Sequence, residues 1–260
     1  MNNTYRRKTY DDKYHLLSKL ILSFILLPIA PLHAAVSVLI WPIDPVINDD
    51  ENATALWLEN KDSQPTYMQI RVLSWRQVNG LDDYNAQTAI IASPPVANIQ
   101  PGKRQLIRLV KNAQVPAGKE LAYRILIDEI PRQEPNDKNN PSSTQLGLTF
   151  QMRYSVPLFV YGNGMQIAPE ATQPTDIAQP TLSYILNRQQ GKQWLTIRNQ
   201  SEIHARISQV TLNGQTVNNG LLGYVLARSQ MSFPISLAAR KGELAAIINS
   251  NTKPVTIPYQ

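Results

Sequence analysis

The chain has 260 residues, with 25 Lys and Arg against 19 Asp and Glu, three histidines and no cysteine. Without thiols there is no disulfide framework, no cysteine zinc site and no cysteine nucleophile, and a formal charge of +6 without a concentrated basic stripe gives no warrant for a nucleic-acid partner. The length suits one large all-β domain or two domains of about 110 residues each.

Taken in chain order, a basic leader (Arg6, Arg7, Lys8, Lys13, Lys19) precedes an apolar run from Leu20 to Ala30, and small residues follow at Ala34 and Ala35. This layout predicts a cleaved secretory signal over residues 1–34, with an apolar run too short to span a bilayer comfortably; an uncleaved N-terminal anchor is the rival reading. Cleavage leaves 20 basic and 17 acidic side chains, a net charge of +3, and His204 as the one remaining histidine. Short runs rich in Val, Ile, Leu, Tyr and Thr then recur every eight to twelve residues, the cadence of an antiparallel sandwich. They predict strands over Val36–Ile40 with Val46 and Ile47, Ala53–Glu59, Tyr67–Gln77, Ile90–Ser93, Arg104–Val110, Glu120–Ile130 and Leu146–Val160. A Pro-, Thr- and Gln-rich stretch, Ala168–Pro180, reads as an inter-domain elbow. A smaller set follows at Leu182–Asn187, Trp194–Asn199, Ala205–Leu212, Gln230–Ile235 and Glu243–Ile248. Two immunoglobulin-like β-sandwich domains in series are expected, 35–162 and 163–260.

The stretch LGLTFQMRYSVPLFVYG, Leu146–Gly162, stands apart. On a strand, Leu146, Leu148, Phe150, Met152, Tyr154, Val156 and Leu158 share one face, and Gly147, Thr149, Gln151, Arg153 and Ser155 share the other. A sandwich is only about five or six residues deep along a strand, so the first four apolar positions project beyond the core. Long apolar edges are normally blunted by charge, proline or bulges, and nothing of that kind interrupts Leu146–Met152. Two readings stand: an ordinary core strand whose apolar face packs on the opposite sheet, which fits Tyr154–Leu158, and an edge lent to a partner whose sheet lacks a strand, by β-strand addition, which fits the start.

With ASPPVANIQPGKRQLIRLV (Ala92–Val110), LAYRILIDEIP (Leu121–Pro131) and the terminal PLFVYG in order, the sequence resembles the PapD-like periplasmic pilus-assembly chaperones of the chaperone-usher pathway. The opening VSVLIWPIDPVI and the lack of cysteine place the likeness nearest the archaic, Csu-type branch. The resemblance implies a boomerang of two immunoglobulin-like domains, periplasmic, without a cofactor or a catalysed reaction. Its expected partners are pilin subunits, completed by the chaperone's last first-domain strand, and an outer-membrane usher that receives them. The donor side chains carry over to Leu146, Leu148, Phe150 and Met152. The exposed edge also predicts self-association of the subunit-free protein.

Conventional family members hold the subunit's C-terminal carboxylate with two basic residues, one on the first strand and one late on the donor strand. Here those positions fall near Asp44 and Pro157, and neither is basic. A buried carboxylate still needs a cation or several N–H donors. Arg124, interrupting an apolar run, is the first candidate; Arg153, on the polar face of the donor strand, the second; and Arg108 the third. A secreted pilin or adhesin is the alternative reading, but it would be one incomplete sandwich rather than two complete ones. A hydrolase built on His204 lacks a G-x-S-x-G elbow.

Overall fold

Alternating apolar and polar side chains give each short run one face to bury, and in a computed structural model the described residues, 38–131, 151–165, 179–236 and 240–260, are organised by strands. The strands are β1 (Val38–Trp41), β2 (Val46–Ile47), β3 (Ala53–Asn60), β4 (Thr66–Val78), β5 (Leu81–Ala86), β6 (Ile90–Ser93), β7 (Val96–Ile99), β8 (Arg104–Lys111), β9 (Glu120–Ile130) and β10 (Arg153–Tyr161). They continue as β11 (Leu182–Gln189), β12 (Lys192–Asn199), β13 (Ala205–Leu212), β14 (Gln215–Val225), β15 (Gln230–Ile235), β16 (Leu244–Ile248) and β17 (Val255–Ile257). Among the described residues no helix is long and apolar enough to cross a membrane.

Two sandwiches result. In the first, the sheet β1-β3-β8-β6 faces the sheet β2-β10-β9-β4-β5, with β7 also on β4. Leu56, Leu58, Ile107 and Leu109 from one sheet meet Ile125, Ile127, Val156 and Leu158 from the other in a continuous core. The second sandwich stacks β11-β12-β15 on β14-β13-β16-β17, around a separate core that includes Tyr184, Leu195, Ile197, Ile207, Leu212 and Leu244. The expected all-β fold of two sandwiches is the one observed. The predicted leader, the donor positions Leu146, Leu148 and Phe150, and all but the last two residues of the expected elbow lie outside the described residues.

Four strands were not expected from the sequence: β5, β7, β14 and β17. β5 reads LDDYNA and is largely exposed, so no apolar alternation announces it. β14, QTVNNGLLGYV, carries two glycines and pairs with β13 through repeated register shifts, which erase the period of two.

The two sandwiches are tied together by side chains at the end of the long strand β4. The Gln77 amide donates from Nε2 to the Tyr224 carbonyl at 2.9 Å and accepts from the Leu226 N–H at 2.9 Å. One side chain thus satisfies two backbone groups of β14 and the residue following it, as a neighbouring strand would. The hairpin tip beyond it reaches β15, where Ser232 N–H donates to the Gly80 carbonyl at 3.0 Å. Gly80 has φ +78° and a Cβ there would collide with the Ser232 side chain, so only glycine suits the position.

Candidate functional site

The edge of β10 is closed at one end and open at the other. Antiparallel pairing with β9 runs from Arg153↔Asp128 to Tyr161↔Glu120, and one further rung joins Glu129 N–H to the Met152 carbonyl at 3.0 Å. On its other side β10 meets β2 only at Phe159↔Val46 and Val160↔Ile47. From Arg153 to Leu158, therefore, the described residues provide a single strand neighbour.

Hydrogen bonding fixes which groups face outward. Phe159 N–H points away from β9, to the Pro45 carbonyl, and backbone groups two residues apart point the same way along a strand. Arg153, Ser155 and the nitrogen of Pro157 consequently face the open side. Proline has no N–H, so it fits here because that side has no second strand to supply. Met152, the described member of the four expected donor positions, is 43% exposed at the start of this edge.

Even-numbered residues of β10 enter the first core, whereas odd-numbered ones face the second sandwich at the closed end. Phe159 and Tyr161 are 1% and 4% exposed, packed with Trp75 and Leu226 in a third cluster joining the two sandwiches. Phe159 stacks on the His204 ring at 3.5 Å between centroids. The Glu120 carboxylate accepts the His204 backbone N–H at 3.0 Å, and its Oε2 lies 2.7 Å from His204 Nδ1. His204 thus holds the two sandwiches together. At the far side of this junction a Cβ on Gly162 would collide with the Pro116 carbonyl, which requires glycine where the chain leaves β10.

Arg124 lies at the closed end of the open edge. It is registered between Pro157 on β10 and Leu73 on β4. Its guanidinium lies 3.8 Å from the Trp75 ring centroid and 5.4 Å from that of Tyr224, a stacking that offsets part of the cost of removing a cation from water. Its Nε is buried and has no hydrogen-bond partner. No carboxylate is within ion-pair distance of it among the described residues.

The other two candidate arginines do not join it. Arg153 is four residues along β10 from Pro157, about 13 Å away, and forms an ion pair with Asp128, which also receives Arg71 at 2.7 Å. Arg108 is exposed on β8 in the opposite sheet, registered with Ala55 and Ser93, with the first core between it and Arg124. The three candidate arginines therefore stand apart from one another. The acidic run Asp49–Glu51 forms a turn closed by Asn48 N–H donating to Glu51 Oε2 at 2.9 Å.

Burial works against ionisation of Asp128, but hydrogen bonds and charge from Arg153 and Arg71 outweigh it and hold the carboxyl below its ordinary range. A folded pKa below the unfolded one gives stability that is complete above the unfolded value, about 3.9, and is lost as pH falls through the folded value. Asp128→Asn is expected to lower the thermal midpoint at neutral pH, by a margin that shrinks as pH drops below about 4. Parallel midpoint-versus-pH curves for wild type and variant would contradict this assignment.

The pili and flagellar-assembly chaperone family, through its PapD N-terminal domain, matches residues 44–166. The chain belongs to this family and is a pilus-assembly chaperone. It is 34% identical to a chain of the CsuC–CsuE chaperone–tip adhesion subunit pre-assembly complex from archaic Csu pili of Acinetobacter baumannii, with a TM-score of 0.70, covering 86% of this chain and 99% of that one. The fold is also shared with the Escherichia coli chaperone DraB (TM-score 0.61, 18% identity, 86% of this chain and 97% of that one). A chain of the Salmonella enterica SafA pilin–SafB chaperone complex matches with TM-score 0.62 and 15% identity over 85% of this chain and 96% of that one. No curated protein sequence matches closely.

Proposed function

We propose that the chain captures pilus subunits in the periplasm by lending them the strand that begins at Leu146, and passes them to an outer-membrane usher. The observation that carries this reading is the open edge of β10, from Met152 to Pro157, in a protein whose 34%-identical relative is a chaperone complexed with a tip subunit. The donor side chains are Leu146, Leu148, Phe150 and Met152. The subunit's terminal carboxylate is held at Arg124, a half-buried cation without an acidic partner among the described residues, at the end where the backbone edge closes. Arg153 is committed to Asp128 and Arg108 faces elsewhere, so neither takes that role. No bond is made or broken in the process.

The proposed layout is a signal over 1–34, a first domain over 35–162 with the donor strand and a second over 163–260. Separate cores in the two sandwiches support this division. Exported alone, the chain is expected in the periplasmic fraction, associating through the 146–152 edge when concentrated. Co-expressed with a secreted subunit that has an incomplete sandwich, it forms a stoichiometric soluble complex and stays monomeric within it. A chain that remains strictly monomeric at high concentration, and leaves such a subunit insoluble, would refute the proposal.

A further inference from the structure

On the outer face of the sheet that carries Arg124, three donors converge on one carboxylate. Trp75↔Tyr84 and Gln77↔Asp82 are same-face pairs of the β4–β5 ladder, so the four side chains leave the sheet on one side. Leu73, registered with Arg124, is two residues before Trp75 and puts Arg124 on that side too. Trp75 Nε1–H donates to Asp82 Oδ1 at 2.8 Å, Gln77 Nε2 donates to the same oxygen at 3.1 Å, and the Tyr84 hydroxyl donates to Oδ2 at 3.1 Å. All three donors are neutral, and Asp82 enters no ion pair among the described residues. Asp83 differs. It points to the other side of the strand and pairs with Arg76 at 3.0 Å.

What this carboxylate holds is the surroundings of Arg124. Trp75 is 3% exposed, and its ring lies 3.8 Å from the Arg124 guanidinium. An indole has a single N–H, so engaging it fixes how the ring is turned. Tyr84 packs against the same indole at 6.4 Å between centroids. Burial pushes the Tyr84 hydroxyl pKa up and the Asp82 charge adds to this, while the Arg124 charge opposes it, so the hydroxyl feels both groups. Gln77, held by Asp82 at Nε2, also reaches the Tyr224 carbonyl and the Leu226 N–H of the second sandwich. Tyr224 is the second ring near the guanidinium. Both rings are thus tied to Asp82, one directly and one through Gln77.

We infer that Asp82 is a positioning residue for subunit capture, accepting from Trp75, Gln77 and Tyr84 and thereby setting the rings that hold the Arg124 guanidinium. This rests on reading Arg124 as the anchor of the subunit's carboxylate. The role is that of an acceptor rather than of a charge. Asparagine keeps an oxygen for Trp75 and Gln77 and can donate its amide to the Tyr84 oxygen, whereas alanine offers neither.

The test uses the full mature chain and a fluorescent strand-forming peptide, valine alternating with threonine, as free acid and as C-terminal amide. Asp82→Ala should bind the acid about tenfold less tightly than wild type, the size of one lost hydrogen bond to a charged acceptor, and Asp82→Asn should stay within about twofold of wild type. Both should bind the amide as wild type does. The Trp75 indole N–H, assigned by its loss in Trp75→Phe, should exchange with solvent faster in Asp82→Ala and at the wild-type rate in Asp82→Asn. In an Arg124→Ala background, Asp82→Ala should cost nothing further. Thermal melts confirm that each variant is folded. Wild-type binding of the acid by Asp82→Ala, or an equal loss in Asp82→Asn, would overturn the inference while a loss in Arg124→Ala leaves the anchor standing. If Arg124→Ala itself binds the acid as wild type does, the anchor reading fails, and this inference with it.

Discussion

A chain carrying serine at Leu146, Leu148, Phe150 and Met152 is expected to fold and to be exported normally, yet to recover no client subunit on co-purification. These side chains lie beyond the depth of the first core in the sequence pattern, and Met152, at the described end, is 43% exposed, so the fold loses little when they shrink. The complex loses much more. Burial of each is worth roughly 1.5–3 kcal/mol, so even the lower bound for four, about 6 kcal/mol, corresponds to about four orders of magnitude in affinity before the costs of ordering and association. Undiminished recovery of a client by the serine variant would remove the basis for strand lending.

Arg124→Ala is expected to weaken subunit capture by about ten- to a hundredfold, the cost of removing one partner of a desolvated charge pair. The variant should remain folded, because the lost cation–π contact, worth about 0.5–2 kcal/mol, is offset by relief of a half-buried cation without a counterion among the described residues. Arg124→Lys should restore only part of the binding, since an ammonium neither stacks on Trp75 as a plane does nor offers a two-pronged fork. Pull-down against a single client, with thermal melts of each variant, separates binding from folding. Full capture by Arg124→Ala would move the anchor elsewhere.

Much of the architecture was legible because burial on one face writes a period of two into the sequence. β3, β8, β9 and β13 carry that pattern and lie within a residue or so of their expected bounds. β5 has too little to bury, and the shifts in β14 break its register, so both escaped the same reasoning. The alternation before Tyr154 predicts an exposed edge, of which the described end, Met152, is 43% exposed. The junction between sandwiches could have been anticipated from VPLFVY, where alternation stops and all six residues from Val156 to Tyr161 are buried, because an uninterrupted apolar run means that both faces are covered.

The site was only half legible. Arg124 is conspicuous as a charge within an apolar strand, but its aromatic cover is not. Trp75 and Tyr224 meet it from distant strands, and no local pattern links them. The ion pair of Asp128 with Arg153 likewise joins residues 25 positions apart, which no local pattern announces.

Pro157 gives the open margin of β10 a terminus. A visiting strand that zips along Arg153 and Ser155 finds no amide proton at Pro157, and the next one, on Phe159, is already engaged by Pro45. Pairing length is thus counted back from a fixed stop rather than chosen by sliding, so a client with one residue too many at its tail would be displaced by a whole step and would present the wrong side chains to the donor.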